Sequence, residues 1–208
     1  MKIMIADDHS IVRMGLRLLI EEAFQEVCFE EAENGNVVME KVKHLSYDLI
    51  ILDFQMPNTD IFNVISYILV HDEKAKILVY TMASEKVYAP KLFAAGIKGF
   101  LSKEAENTEL VKAVKIIVAG GVYGNPQGRP DNSAQQTLVP YTNPFSILSA
   151  KELNVLNFLI QGKNTKEISA LSHLQMSTIS THKVRIFRKL NITNMVELLA
   201  LAREHQLY

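Results

Sequence analysis

Only one cysteine, Cys28, occurs in 208 residues. No disulfide can close within the chain, so a small cross-linked scaffold is excluded and a reducing cytoplasm is the expected setting. Also missing is any apolar run near the roughly 18 to 20 residues that a membrane span needs, so no membrane partner is expected. The N-terminal "MKIMIADDHS" places two aspartates before a signal-peptide apolar region could form. There is no internal repeat, and the net charge is only −1.

That small net charge hides an asymmetry. Residues 1–120 carry 13 Lys and Arg against 18 Asp and Glu, a net of −5; residues 148–208 carry 8 against 4, a net of +4. An acidic front and a mildly basic rear suggest two modules with different partners. At 48% hydrophobic and 22% charged, the chain has the means to build real cores.

From Lys2 to about Gly120, short apolar runs alternate with helical patterns. "KIMIA", "EVCFEEAEN", "DLIILD", "AKILVYT" and "GFLSK" read as strands, the second as a weak edge. "DLIILD" is apolar on both faces, as a doubly covered parallel sheet requires. Between them lie helical stretches, the first with Ile11, Met14, Leu18 and Leu19 at helical spacing. The fourth contains Pro90, which predicts a kink or a late start. Five βα repeats predict a flavodoxin-like doubly wound sheet in the order 2-1-3-4-5. Residues 121–147, rich in Gly, Pro, Asn, Gln and Ser, read as a tether. Thereafter the pattern is all helical. "SAKE", "NTKE" and "NMVE" match capping boxes opening three of four short helices, and a short turn between the second and third suggests a helix-turn-helix. The predicted domains are 1–121, a linker at 122–146, and 147–208.

Ligands in such a sheet sit at the carboxyl ends of the strands. The first strand ends in Asp7-Asp8, the third in Asp53, the fourth in Thr81 and the fifth in Lys103. Carboxylates within about 5 Å repel by about 3–4 kcal/mol per pair at an effective dielectric near 20. A hard cation such as Mg²⁺ relieves that repulsion, leaving Asp53 able to attack phosphorus, with Lys103 stabilising the transferring charge.

"ADDH", "LDFQMP", "YTMA" and "GFLSK", in this order, resemble the receiver domain of a bacterial response regulator over about 120 residues. The resemblance implies that Asp53 accepts a phosphoryl group from a sensor histidine kinase. It implies that Asp7, Asp8 and Asp53, with the Gln55 carbonyl, hold Mg²⁺. Thr81 and Phe100 become a switch pair, and Lys103 an ion-pair partner of the phosphorylated aspartate. Where the receiver pattern usually has Gly after "MPNTD", this chain has Ile61; either the loop takes another conformation or the helix starts earlier.

The tail from "LSAKEL" to "ELLALA" resembles the DNA-binding domain of the LuxR (NarL/FixJ) class. The resemblance implies that the helix from about Ser177 to Leu190 enters the major groove of double-stranded DNA. Ser180, Thr181 and Val184 then face base edges with Lys183 and Arg185 nearby, while Lys166, Thr178, Arg188 and Lys189 contact phosphates. His182 reads as a packing or phosphate-contacting residue, with no second His or Cys at ligand spacing. Ser172, Gln175 and Ser180 depart from the pattern. Ser172 thins a core, Gln175 is a poor cap that Ser177 could replace, and Ser180 removes a contact. The last helix, with Leu198, Leu199, Leu201 and Ala202, is expected both to pack on its own domain and to form part of a homodimer seam.

The function expected is a non-enzymatic, phosphorylation-controlled transcription regulator. Two rivals are weighed. A haloacid-dehalogenase-like phosphatase would need an Asp-x-Asp on the first strand, which Asp7-Asp8-His9 lacks. A phosphorylation-independent DNA binder would use its receiver only to dimerise.

Overall fold

The computed structural model describes residues 1–124, 143–205 and 207. Two compact units result: Met1–Ala83 with Leu92–Gly124, and Ser84–Lys91 with the described residues from Asn143 onward. Of the stretch expected as linker, 125–142 lie outside the described residues.

The first half of the chain alternates as its hydrophobic periods predict. Strands β1 (Lys2–Ala6), β2 (Cys28–Ala32), β3 (Leu49–Leu52), β4 (Ile77–Thr81) and β5 (Gly99–Ser102) alternate with helices α1 (Ser10–Ala23), α2 (Gly35–Val42), α3 (Ile61–His71), α4 (Glu85–Ala95) and α5 (Asn107–Val118). All strand pairs are parallel, in the order β2-β1-β3-β4-β5, which is the flavodoxin-like arrangement. Every residue of β3 is buried, because helices cover both faces of a parallel sheet. A core of Ile3, Ile5, Leu16, Ile20, Leu49, Ile51, Leu78, Val114 and Ile117 joins β1, β3 and β4 to α1 and α5.

Two local features are left open by spacing. Helix α1 buries Leu16 and Ile20, with Val12 and Leu19 packed against the core, whereas Ile11, Met14 and Leu18 are exposed. The helix carries two apolar stripes, and spacing alone does not say which one the sheet covers. Pro90 lies inside α4, and the helix nonetheless runs from Glu85. At Ile61, one of the two alternatives holds: α3 begins there, capped by Asp60, whose carboxylate accepts from the Asn63 amide at 3.0 Å. The left-handed residue of this loop is Asn58, at φ 54°. Asn tolerates that conformation better than most residues, so Ile61 is free to be fully buried.

The ends of the expected linker are structured. Tyr123 bridges to Gly99, its carbonyl accepting from the Phe100 amide at 3.1 Å. Residues Pro144–Ile147 form a 3-10 turn. The rear of the chain forms α6 (Ala150–Ile160), α7 (Thr165–Ser172), α8 (Met176–Leu190) and α9 (Met195–Glu204). Reciprocal capping boxes open α6 (Ser149 with Glu152) and α7 (Asn164 with Glu167). At α9 the match is only half made: Asn194 accepts from the Glu197 amide, but the Glu197 carboxylate reaches back to the Thr193 amide at 2.6 Å. Helix α8 starts at Met176 with Gln175 in the cap position and no side-chain cap bond, so Ser177 lies inside the helix and does not cap it. Three residues, His173 to Gln175, separate α7 from α8, and His173 takes the left-handed conformation that ends α7. Ile168, Ile179, Ile186, Leu198 and Ala202 are buried in this unit. Ser172, half-buried, satisfies its hydroxyl on the Ile168 carbonyl at 2.6 Å.

Candidate functional site

The strand ends meet as the sheet order requires. Asp7 and Asp53 sit one residue beyond β1 and β3, and the ladder still holds their backbones: the Asp7 amide donates to the Ala32 carbonyl at 3.0 Å, and that of Asp53 to the Ala6 carbonyl at 2.8 Å. Both side chains are almost completely buried, Asp7 at 1% and Asp53 at 4% exposed. Lys103 follows β5 directly. Its ammonium lies 2.6 Å from Asp7 Oδ2 and 2.9 Å from Asp53 Oδ2. Residues 7, 53 and 103 thus converge across strands that are distant in sequence.

The electrostatics of this cluster follow from burial and charge. Burial pushes the Asp53 carboxyl above its ordinary pKa; Lys103 pulls it back, and Asp7 pushes it further up. For Lys103, burial works to lower the pKa, but Asp53 and Asp7 outweigh it and the ammonium is held above its ordinary value. The Asp53 Oδ1 oxygen accepts the Gln55 amide at 3.2 Å, which places residue 55 against the carboxylate through its backbone.

Asp8 is partly exposed, and its Oδ1 atom is enclosed yet takes no hydrogen bond from the described residues. His9 brings Nδ1 to 3.0 Å from Asp8 Oδ1 and 3.2 Å from Asp7 Oδ1. Asp7, Asp8 and His9 could present ligand atoms within 4.8 Å of one another. Two buried carboxylates that share the Lys103 ammonium, beside a third whose enclosed oxygen faces the His9 ring without a hydrogen bond, form a donor set that fits a hard divalent cation. Thr81, at the end of β4, is fully buried; its Oγ1 accepts the Ala83 amide at 3.2 Å, leaving the hydroxyl proton for another acceptor. Phe100, 2% exposed, pairs in register with Val79.

Sequence reasoning missed Arg13. From α1 its Nη1 donates to the Asp7 carbonyl at 2.7 Å, while Nε bonds Glu31 of β2 at 2.7 Å. The only sequence signal was an arginine in the first helix after "ADDH", one of many surface-like cations.

On α8, Ser180, Thr181, Val184, Arg185 and Arg188 line one shallow cleft, and all five are exposed. Lys166, on α7, is exposed too; Thr178 is half-buried, and Lys183 lies with its ammonium 5.5 Å from the Phe187 ring centroid. One expected phosphate contact, Lys189, has partners within its own unit. The Lys189 ammonium sits 2.7 Å from the buried Glu152 carboxylate and 3.2 Å from the Ile147 carbonyl, tying α8 to the start of α6. His182 is half-buried, with Nδ1 enclosed and without a hydrogen bond among the described residues. Burial holds its pKa below the ordinary value, Glu152 opposing and Arg185 and Lys151 reinforcing.

Residues 3–115 match the family model described as response regulator receiver domain, and residues 146–202 the model described as bacterial regulatory proteins, luxR family. The chain belongs to the response regulators with a LuxR-type DNA-binding domain. Among relatives of this response regulator, Fimbriae Z protein of Salmonella typhimurium is 32% identical over 99% of this chain and 97% of its own. Response regulator GacA of Pseudomonas syringae is 28% identical over 98% of this chain and 96% of its own. A solved structure of RcsB from Salmonella enterica, bound to promoter rprA in the presence of the phosphomimetic BeF3−, superposes with a TM-score of 0.78 at 26% identity, covering 98% of each chain. The family is one of transcription regulators rather than enzymes, so the phosphatase alternative is set aside. Among the described residues, no helix is long and apolar enough to cross a membrane.

Proposed function

We propose that this response regulator accepts a phosphoryl group on Asp53 from a sensor histidine kinase and thereby controls its binding to double-stranded DNA, working in the cytoplasm. The observation that carries the proposal is the Lys103 ammonium bridging Asp7 and Asp53 at the mouth of the sheet. Asp7, Asp8 and Asp53, with the Gln55 carbonyl, are the residues that would hold Mg²⁺. Bound there, the ion supplies charge neutralisation for an incoming phosphoryl group.

An Asp53 Oδ atom attacks the phosphorus of a phosphohistidine; the P–O bond forms, the P–N bond breaks, and the departing imidazole takes up a proton. Lys103, already 2.9 Å from Asp53, pairs with the new charge. The Thr81 hydroxyl donates to a phosphoryl oxygen. Thr81 and Phe100, on neighbouring strands, are then the elements whose repacking shifts the molecule towards a DNA-binding and dimeric state. Residues 1–121 act as the receiver, 122–146 as the tether and 147–208 as the reader. On the reader, Arg185 and Arg188 with Lys166 and Lys183 supply positive charge, Thr178 and His182 flank it, and Lys189 serves the fold through Glu152. The exposed Val196 of α9, beside half-buried Leu199, leaves an apolar strip for the homodimer seam.

Labelling with a small phosphodonor tests the reading. Uptake should require Mg²⁺ and vanish in Asp53→Asn; label retained by that variant would refute it. Equal DNA affinity with and without phosphodonor would instead favour a regulator indifferent to phosphorylation, its receiver used only to dimerise.

A further inference from the structure

The outward face of α8 contains hydroxyls whose protons are already committed. Ser180 Oγ donates to the Met176 carbonyl at 3.0 Å, and Thr181 Oγ1 to the Ser177 carbonyl at 2.9 Å. A hydroxyl has one proton and two lone pairs, so towards solvent both oxygens offer acceptors only. One helical turn on, at i+4 from Ser180 and i+3 from Thr181, stands Val184, 66% exposed. It is a large aliphatic side chain in the middle of a cleft otherwise made of hydroxyls and guanidinium groups. Arg185 and Arg188 rim that cleft with charge complementary to phosphate. The face is therefore a row of acceptor, acceptor and methyl, not a row of donors.

We infer that Val184 packs on the 5-methyl group of a thymine in the major groove, and that Ser180 and Thr181 accept from exocyclic amines of cytosine or adenine on adjacent base pairs. The inference rests on the proposed DNA-binding function and specifies its target. In the major groove thymine alone presents a methyl, and the cytosine and adenine amines are the donors. Guanine presents N7 and O6, both acceptors, and lone pairs facing lone pairs disfavour it opposite either hydroxyl. Guanine contacts and phosphates fall to Arg185 and Arg188 at the rim.

The test uses the full chain with phosphodonor and Mg²⁺. Duplexes are enriched from a random pool, and each thymine of the enriched site is replaced in turn by deoxyuridine, which removes only the methyl. One thymine per half-site should show a loss of about fourfold in affinity on replacement, the size expected for one buried methyl. In Val184→Ala the same replacement should cost nothing. Tolerance of deoxyuridine at every thymine, or an undiminished penalty in Val184→Ala, overturns the assignment of Val184. A base preference unchanged at every position of the enriched site in both Ser180→Ala and Thr181→Ala overturns that of Ser180 and Thr181. A pool in which no duplex is enriched overturns the DNA-binding reading itself, and this inference with it.

Discussion

Lys103 bridges two buried carboxylates that would otherwise repel each other without a counter-charge. Its side chain is 12% exposed, and those of Asp7 and Asp53 are 2% and 4%. Removing one member of a buried charged group leaves the others uncompensated, at a cost of about 3–5 kcal/mol. Lys103→Met should lose that much stability in urea unfolding with a chelator present. Millimolar Mg²⁺ should restore more in the variant than it adds to the native chain, because in the latter the ion must compete with an ammonium already in place. Equal increments would mean that the carboxylates do not share a cation site. Each of these three residues was legible in the sequence as the end of an apolar run. The Arg13 bond to the Asp7 carbonyl was not, because nothing in the local pattern of α1 says that an arginine six residues on turns back towards the strand end.

Helix α3 shows how one element absorbs a departure from a family pattern. Asn58 takes the left-handed conformation, Asp60 caps, and Ile61 becomes the first helical residue and part of the core. Restoring the expected glycine is therefore not restorative. Ile61→Gly deletes a fully buried side chain and should cost about 3–5 kcal/mol in urea unfolding; a stabilised variant would mean that the loop tolerates a second left-handed residue. Helix α1 makes the converse point. Its pattern reads as helical, but spacing does not choose the buried stripe, because Ile11, Met14 and Leu18 are as apolar as Val12, Leu16 and Ile20. Only contact with the sheet and α5 distinguishes them.

For the molecule as a whole, charge and protonation bear on stability as well as on partners. Glu152 in α6 is buried, which by itself raises its pKa. The Lys189 ammonium and the Ser149 amide and hydroxyl outweigh that and hold it below its ordinary value of 4.5. A carboxylate whose pKa is lowered by folding contributes stability above its unfolded-state pKa, and the contribution is lost as pH falls through the folded-state value. At neutral pH, Glu152→Gln should be less stable than the native chain by about 1–2 kcal/mol. The gap should close below about pH 4.5, the range in which the native carboxylate also protonates. Helical circular dichroism against denaturant at several pH values reads this directly, and a gap independent of pH would mean that the ion pair is not its source.

Residue order by itself determined the five βα repeats, the helical tail, the caps of α6 and α7 and the identity of the strand-end groups. These depend on short periods and on neighbours a few residues apart, and β3 announces itself as an unbroken apolar run. Tertiary structure alone decided which face of α1 is inside, that Arg13 grips the Asp7 backbone, that Lys189 belongs to Glu152, and that the Ser180 and Thr181 protons are spent within α8. The first three are outcomes of packing between segments remote in sequence. The last turns on side-chain rotation, which composition and spacing do not encode.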